Sequence, residues 1–369
     1  MATTSFAVND AYAVKLWAKE LSVEAIKYTD IAPLIGTNAG SVIHKKEETE
    51  KGKGDQVTFG LRLQLAQDGF TENELAEGNG EALTIYTDQL TINELMGVVG
   101  VKSDRTIDQQ RVPFDLRVEA RDGLADWWAK RLSVSFFNQV CGNTAETRTK
   151  YTGLQATTAP SSGRQIWQGS LSDDASLTNN NTMTLGMIDK AVENARTQTP
   201  VVRPINATGR SDIGDYYENI TQGKYVCYMH PFQVTDLRTN TSTGQWLDIQ
   251  KAAMTGGEIS KNPIYIGALA EYNGVIIKSS FDVTTGANNA TPTVANANVR
   301  RAVLLGAQAA VVGYGMKHAG GKYLWNEELF DHKRRLEVSA LGVWGLKKAR
   351  FNSIDYGVIV MSTWATQHT

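Results

Sequence analysis

Cysteine is nearly missing from this chain: its 369 residues carry two, Cys141 and Cys227. They lie far apart and form neither a Cys-x-x-Cys pair nor a metal-ligand spacing. That excludes a disulfide framework and points to buried thiols in a reducing cytosol. A surplus of charge is lacking too. Lys and Arg number 37 and Asp and Glu 39, so the formal charge is −2. A protein that grips nucleic acid carries a clear basic excess, and this one does not. Long apolar runs are absent as well. The longest, Ala302 to Met316, is interrupted by Gln308 and is too short for a bilayer. Met1 to Asp10 has neither the basic nor the apolar region of a secretory signal, so none is expected.

Catalytic signatures are also missing. There is no GxxxxGK[ST] loop, no HExxH and no GxSxG. Gly52-Lys53-Gly54 and Gly313-Tyr314-Gly315 lack the other glycines of a phosphate loop. His318 and His332 with Glu327 or Asp331 match no metal spacing. Glu47-Glu48 and Glu327-Glu328 sit in charged stretches and are expected to be solvated. Trp127-Trp128 reads as core rather than a ligand platform. The expectation is therefore no enzyme, no catalytic residue, no cofactor and no metal.

What is present reads as a mixture of helices and strands. Val14, Trp17, Leu21, Ala25, Tyr28 and Ile31 fall at helical spacing, predicting an amphipathic helix from Ala11 to Ile35, stopped by Pro33 and Gly36. The charged run His44 to Asp55 reads as a flexible connector. Val57, Phe59, Leu61, Leu63 and Leu65 then alternate with Thr58, Gly60, Arg62 and Gln64, the period of a half-buried strand. A second extended run starts at Leu83 and Ile85 and continues through Leu90 and Ile92 in the opposite phase, which suggests a bulge or bend. Residues 55–92 thus read as a long hairpin with a large polar tip, which must project and find a partner. Pro113 to Cys141 is the strongest helix, about 43 Å long at 1.5 Å per residue. Gly142 to Thr182 is rich in Thr, Ser, Asn and Gly and reads as a surface excursion. A second helix covers Leu185 to Arg196. Tyr225 to Met229 is a strand ended by His230-Pro231, and Asn273-Gly274 marks a tight hairpin. Ala302 to Val312 is a buried strand or short helix. Arg335 to Ala340 and Ile354 to Val360 are extended.

The order of these elements carries a resemblance. An arm precedes a projecting hairpin, then come a long helix, a mixed region and a return to strands. This resembles the Hong Kong 97-type major capsid fold of tailed bacteriophages, an α+β fold with arm, E-loop, spine helix, peripheral domain and axial domain. Tyr228-Met229-His230-Pro231 with Asp236-Leu237-Arg238 looks like a strand-to-helix passage of the axial domain. Ile266-Gly267-Ala268-Leu269 with Tyr272-Asn273-Gly274-Val275 looks like the hairpin after it, and Arg301 to Ala309 like the next core strand. Within this fold the ordered phrases resemble the N4-type branch of phage head proteins. The resemblance implies an arm over 1–54, the E-loop over 55–92 and a peripheral domain over 93–204 with its spine helix at 113–141. It places an axial domain over 205–319 and returning peripheral strands over 320–369.

It further implies a subunit that self-assembles, in the host cytoplasm, into the pentamers and hexamers of an icosahedral head. That head would enclose double-stranded DNA without reading its sequence, and the chain would end in the virion. Scaffolding, portal and decoration proteins are the implied partners, with no membrane. Near-neutral charge suits a wall that must release its DNA. Two other readings remain open: an encapsulin-type nanocompartment shell around an enzyme cargo, and an enzyme of unrecognised fold. Neighbouring genes distinguish the first, and the missing His, Cys and carboxylate constellation weighs against the second.

Self-assembly needs surfaces. The hairpin tip carries Asp68, Glu72, Glu74, Glu77 and Glu81 with no Lys or Arg from Ala66 to Ala82. Such a tip seeks an opposite charge or stays solvated as a guard against aggregation. The candidate receiving surfaces are the long helix, with Arg111, Arg117, Arg121, Lys130 and Arg131, and the terminal strands, with Lys333, Arg334 and Arg335. Some relatives of this fold cross-link an E-loop lysine to a neighbour's asparagine. No lysine lies between Lys53 and Lys102, so that bond is not expected here.

Overall fold

The computed structural model describes residues 31–38, 40–46, 54–62, 68–72, 74–75, 77–83, 85–102, 106–113, 115–205, 223–240, 242, 270–288, 291–315 and 322–368. Residues 11–30 of the expected helix, the charged residues 47–53, Leu63, Leu65, residues 264–269 and His318 lie outside them; the described end of that helix is instead a 3-10 turn at Ala32–Leu34 followed by extended chain at Ile35–Gly36. Strands β1 (Ile35–Gly36), β2 (Ile43–Lys46), β3 (Gln56–Arg62), β4 (Ile85–Thr91) and β5 (Asn93–Lys102) come first. Helices α1 (Ile107–Arg111) and α2 (Leu116–Val140), β6 (Gln165–Trp167), α3 (Leu185–Thr197), β7 (Tyr225–Met229) and α4 (Pro231–Thr239) follow. The remainder is strand: β8 (Ala270–Tyr272), β9 (Val275–Ser279), β10 (Thr285–Ala287), β11 (Ala295–Leu305), β12 (Ala310–Tyr314), β13 (Tyr323–Phe330), β14 (Arg335–Lys348), β15 (Arg350–Phe351), β16 (Ile354–Asp355) and β17 (Val358–Trp364).

Two sheets organise the molecule. The six-stranded sheet runs β1-β2-β12-β14-β13, with β5 along the other side of β14. Helix α2 packs on β5 and β14. Its apolar stripe puts Trp128 against Tyr323 at 4.5 Å and Trp344 at 6.3 Å between ring centroids. The seven-stranded sheet runs β6-β17-β11-β7-β9-β8, with β10 on β11. Helix α3 lays Leu185, Ile188, Val192 and Ala195 into its core, as the spacing predicts. The sheets do not follow the boundaries at 54 and 319. β2 pairs with β12, and β17 pairs with β6 and β11.

Several local expectations meet a correction. The long helix begins at Leu116 rather than Pro113, because the Asp115 side chain accepts the Arg117 N–H at 2.8 Å and caps it there. It spans 25 residues, about 37 Å. Its last turn yields to Gly142, whose φ is +63°. The supposed connector starts as a strand: Ile43 is fully buried and carries His44 to Lys46 into parallel pairing with β12. The phase change in the second hairpin strand is no bulge. β3 and β4 pair without a break from Gln56↔Thr91 to Arg62↔Ile85. One face of β4 buries Leu90 against Val311, Ala349, Phe351 and Tyr356, while Ile85 on the other stays exposed. Apolar side chains on both faces, one unburied within the chain, produced the apparent slip. Ala302 to Val312 is two strands, joined by a turn at Gln308 with φ +56°.

The largest correction concerns residues 142–182. They are no surface excursion. β6 adds a parallel edge to β17, and Arg164, Thr152 and Asp174 are buried. Gly153 sits so close to β14 that a Cβ would lie 2.5 Å from the Leu346 carbonyl oxygen. Asp174 is the anchor. It binds Arg301 Nε at 2.8 Å, and accepts from Trp167 Nε1 at 2.8 Å, Gln165 Nε2 at 3.2 Å and the Ala287 N–H at 3.0 Å. Arg301 in turn donates to the Gly142 and Cys141 carbonyls at 2.7 and 3.2 Å, answering the open C-terminus of α2. A polar composition folds here because its polar groups are paired, not because it lacks a core.

Candidate assembly surfaces

The hairpin β3–β4 forms a two-stranded sheet of its own. Its base is tethered: Asp88 takes the Lys347 ammonium at 2.5 Å and the Arg350 N–H at 3.2 Å, and Phe59 meets Phe351 edge-on at 5.9 Å. At its far end Asp68, Glu72, Glu74, Glu77 and Glu81 are all exposed. So are Phe70, Leu75 and Leu83, Leu75 by 71%. The Thr71 N–H donates to Glu74 at 2.9 Å, and Asn79 donates to the Leu75 carbonyl at 2.8 Å, so the tip is shaped by local bonds. A two-stranded ribbon ending in exposed large apolar groups is not finished within one chain.

The helix cations proposed as its counterpart are engaged elsewhere. Arg117 grips Glu327 with Nε and Nη2, at 3.0 and 2.8 Å from one carboxylate oxygen. Glu327 is 2% exposed, which corrects the expectation that it is solvated. It falls on the inward side of β13 with Tyr323 and Trp325, and accepts from Trp325 Nε1 at 2.8 Å. A buried carboxylate needs such partners. Arg121 pairs with its neighbour Asp122 at 2.7 Å, and Lys130 pairs with Asp282. Arg131 stacks its guanidinium on Tyr151 at 3.8 Å and on Trp127 at 4.9 Å, and draws the Tyr151 phenol below its ordinary range. Arg111 is on α1, beside Asp108 at 3.4 Å.

The cations of the terminal strands are placed differently. Lys333 and Arg334 lie in the exposed turn between β13 and β14, where Asp331, His332 and Lys333 have φ of 50°, 52° and 70°. Three successive side-chain-bearing residues in the left-handed region make a strained, outward turn. Arg335 follows, opposite Phe330 on one side and Lys102 on the other. Sequence reasoning missed Lys102, because only the cross-strand register brings it to Arg335. Arg334 reaches Asp331 at 3.9 Å. Among the described residues no cluster of three His, Cys, Asp or Glu side chains could hold a metal ion. No described helix is long and apolar enough to cross a membrane. Cys141 and Cys227 are free and buried, and burial pushes both thiols up.

This architecture has relatives. The capsid of Ralstonia phage GP4 superposes with a TM-score of 0.75 at 31% identity, covering 100% of both chains. A family model described as phage capsid protein matches residues 5–367. The chain belongs to the phage capsid protein family. The major capsid protein of Pseudomonas phage KPP25 is 23% identical to this capsid protein over 93% of each. The Cyanophage Pam1 capsid subunit shares the fold at 19% identity, with a TM-score of 0.70 over 93% and 94% of the two chains. The fold is thus the α+β Hong Kong 97-like one that the element order resembles, and the capsid protein is a virion component. The strand-to-helix phrase holds in detail: His230 ends β7 and caps α4, its Nδ1 accepting the Phe232 N–H at 3.3 Å. The Asn273-Gly274 turn, with φ of 47° and 73°, joins β8 and β9 as the sequence predicts.

Proposed function

We propose that this capsid protein is the repeating subunit of a closed icosahedral head around double-stranded DNA, that it works structurally and not as a catalyst, and that copies of itself are its main partner. The observation that carries the reading is the unfinished hairpin, an exposed acidic and apolar tip on a chain whose whole length matches capsid subunits. Modest contacts repeated by symmetry stabilise such a shell. The six-stranded sheet with α2 serves as the peripheral domain and the seven-stranded sheet as the axial domain. Scaffolding, portal and decoration proteins complete the set of partners that this reading entails. The test is electron microscopy of the purified chain, alone and with the products of neighbouring genes. Uniform closed particles are expected; a chain that stays monomeric in every combination overturns the reading.

A further inference from the structure

We propose that Asn79, at the hairpin tip, is a site of spontaneous modification, its side-chain amide converting to a carboxylate through ring closure by the Gly80 backbone nitrogen. Asn273 carries the same local sequence and is expected to resist. The inference concerns the chemistry of the tip itself and stands whether or not copies assemble.

The chain holds two Asn-Gly steps, Asn79-Gly80 and Asn273-Gly274. Asparagine before glycine is open to this reaction because no Cβ on the second residue hinders the attacking nitrogen. Both asparagines are exposed, so access of water does not separate them. What separates them is how firmly the backbone is held. Asn273 and Gly274 form the turn between β8 and β9, with φ of 47° and 73°, closed by the Tyr272↔Val275 pair. Asn273 Nδ2 donates to Asp189 Oδ1 at 2.9 Å, and the Tyr272 hydroxyl donates to Asp189 Oδ2 at 2.9 Å. The Gly274 carbonyl accepts the Tyr225 N–H at 2.9 Å. Swinging the Gly274 nitrogen under the side chain breaks the turn and these bonds with it.

Nothing comparable holds Asn79. Residues 77–83 lie outside any helix or strand. Beyond the immediate chain neighbours, no described atom lies within 4 Å of where a Cβ on Gly78 or Gly80 would stand. The Gly80 N–H donates to none of the described residues. One exposed bond, from Asn79 Nδ2 to the Leu75 carbonyl at 2.8 Å, fixes the side chain, and water replaces such a bond readily. The backbone is therefore free to reach the conformation in which nitrogen and carbon meet. In the step, the Gly80 N–H gives its proton to base, the nitrogen bonds to Asn79 Cγ, and Nδ2 leaves as ammonia. Water then opens the cyclic imide at either carbonyl, giving aspartate or isoaspartate. The product adds a carboxylate between Glu77 and Glu81, and the isoaspartate form also lengthens the backbone by one atom. The charge and shape of the tip thus depend on the age of the chain.

Peptide mass spectrometry of the purified subunit, kept in warm and mildly alkaline buffer, tests this. Asn79 should convert about ten-fold faster than Asn273, or more, with aspartate and isoaspartate both formed. In urea, where neither backbone is held, the two rates should converge. Gly80→Ala fits the open space at that position. It should slow conversion of Asn79 about ten-fold and leave the melting temperature unchanged. Comparable rates at the two sites in the folded chain overturn the proposal. A gap that persists in urea also overturns it, since local sequence would then explain the difference. So does a Gly80→Ala chain that converts at the wild-type rate, since ring closure would then not be the route.

Discussion

At the scale of single residues, Asp174 and Arg301 hold more than each other. Arg301 is 2% exposed, Asp174 fully buried, and their bonds tie the end of α2 to β6, β10 and β11. Removing one member strands the other charge in the core, which costs about 3–5 kcal/mol. Asp174→Asn is therefore expected to lower the urea midpoint severely, and Asp174→Leu with Arg301→Met to be milder than either single change. Equilibrium unfolding of the three variants checks the order. His230 carries a second residue-scale consequence. Burial, helped by the nearby Arg300 charge, lowers its imidazole to about 4. A depressed folded value means the unfolded chain binds the proton first. Stability from this group is full above about pH 6.5, is lost as pH falls, and is gone below about 4. His230→Asn keeps an acceptor for the Phe232 N–H and should remove that part of the acid sensitivity. Unfolding curves of both proteins across this window show it, and parallel losses would contradict it.

At the scale of elements, periodicity read well where one face is buried and the other wet. The β3 and β4 hairpin, α3, β7 and the Asn273-Gly274 turn all follow from local pattern or turn chemistry. Residues 142–182 did not, for a physical reason. Their structure is fixed by distant partners, Arg301, Leu346 and Val360, which no window of sequence contains. A segment rich in Thr, Ser and Asn looks solvent-loving until its bonds are counted. The assembly surfaces were half legible. The acidic tip is visible as a run without cations, but side chains that pair across the fold, such as Arg117 with Glu327, looked as available as Lys333. Deleting Thr157 to Ser176 removes β6 and the Asp174 anchor. It is expected to give an unfolded or insoluble chain, measured by circular dichroism and sedimentation. A soluble subunit with the wild-type melting curve would show that the segment is dispensable.

At the scale of the whole molecule, composition predicts how the copies cohere. The described tip offers carboxylates and apolar groups, and the hairpin sequence between Lys53 and Lys102 has no amine to form an amide with a neighbour. Particles boiled in denaturing detergent are expected to run as a single 40.4 kDa band. A ladder of multiples would mean another nucleophile links the copies.

One strand also sets a clock. β17 is the seam of the seven-stranded sheet, hydrogen-bonded to β6 on one flank and β11 on the other. Its parallel partner Gln165 is paired with Val360, so about two hundred residues must leave the ribosome between the two, roughly ten to forty seconds at ordinary elongation rates. Until then β6 has no partner strand, α3 has only part of its floor, and the seven-stranded sheet cannot be completed on the nascent chain. The subunit is thus expected to finish folding only after β17 emerges. In the interval its exposed apolar surfaces need shelter from the many identical chains being made around it, which makes translation speed and chaperone supply conditions of shell yield as much as the contacts between finished subunits.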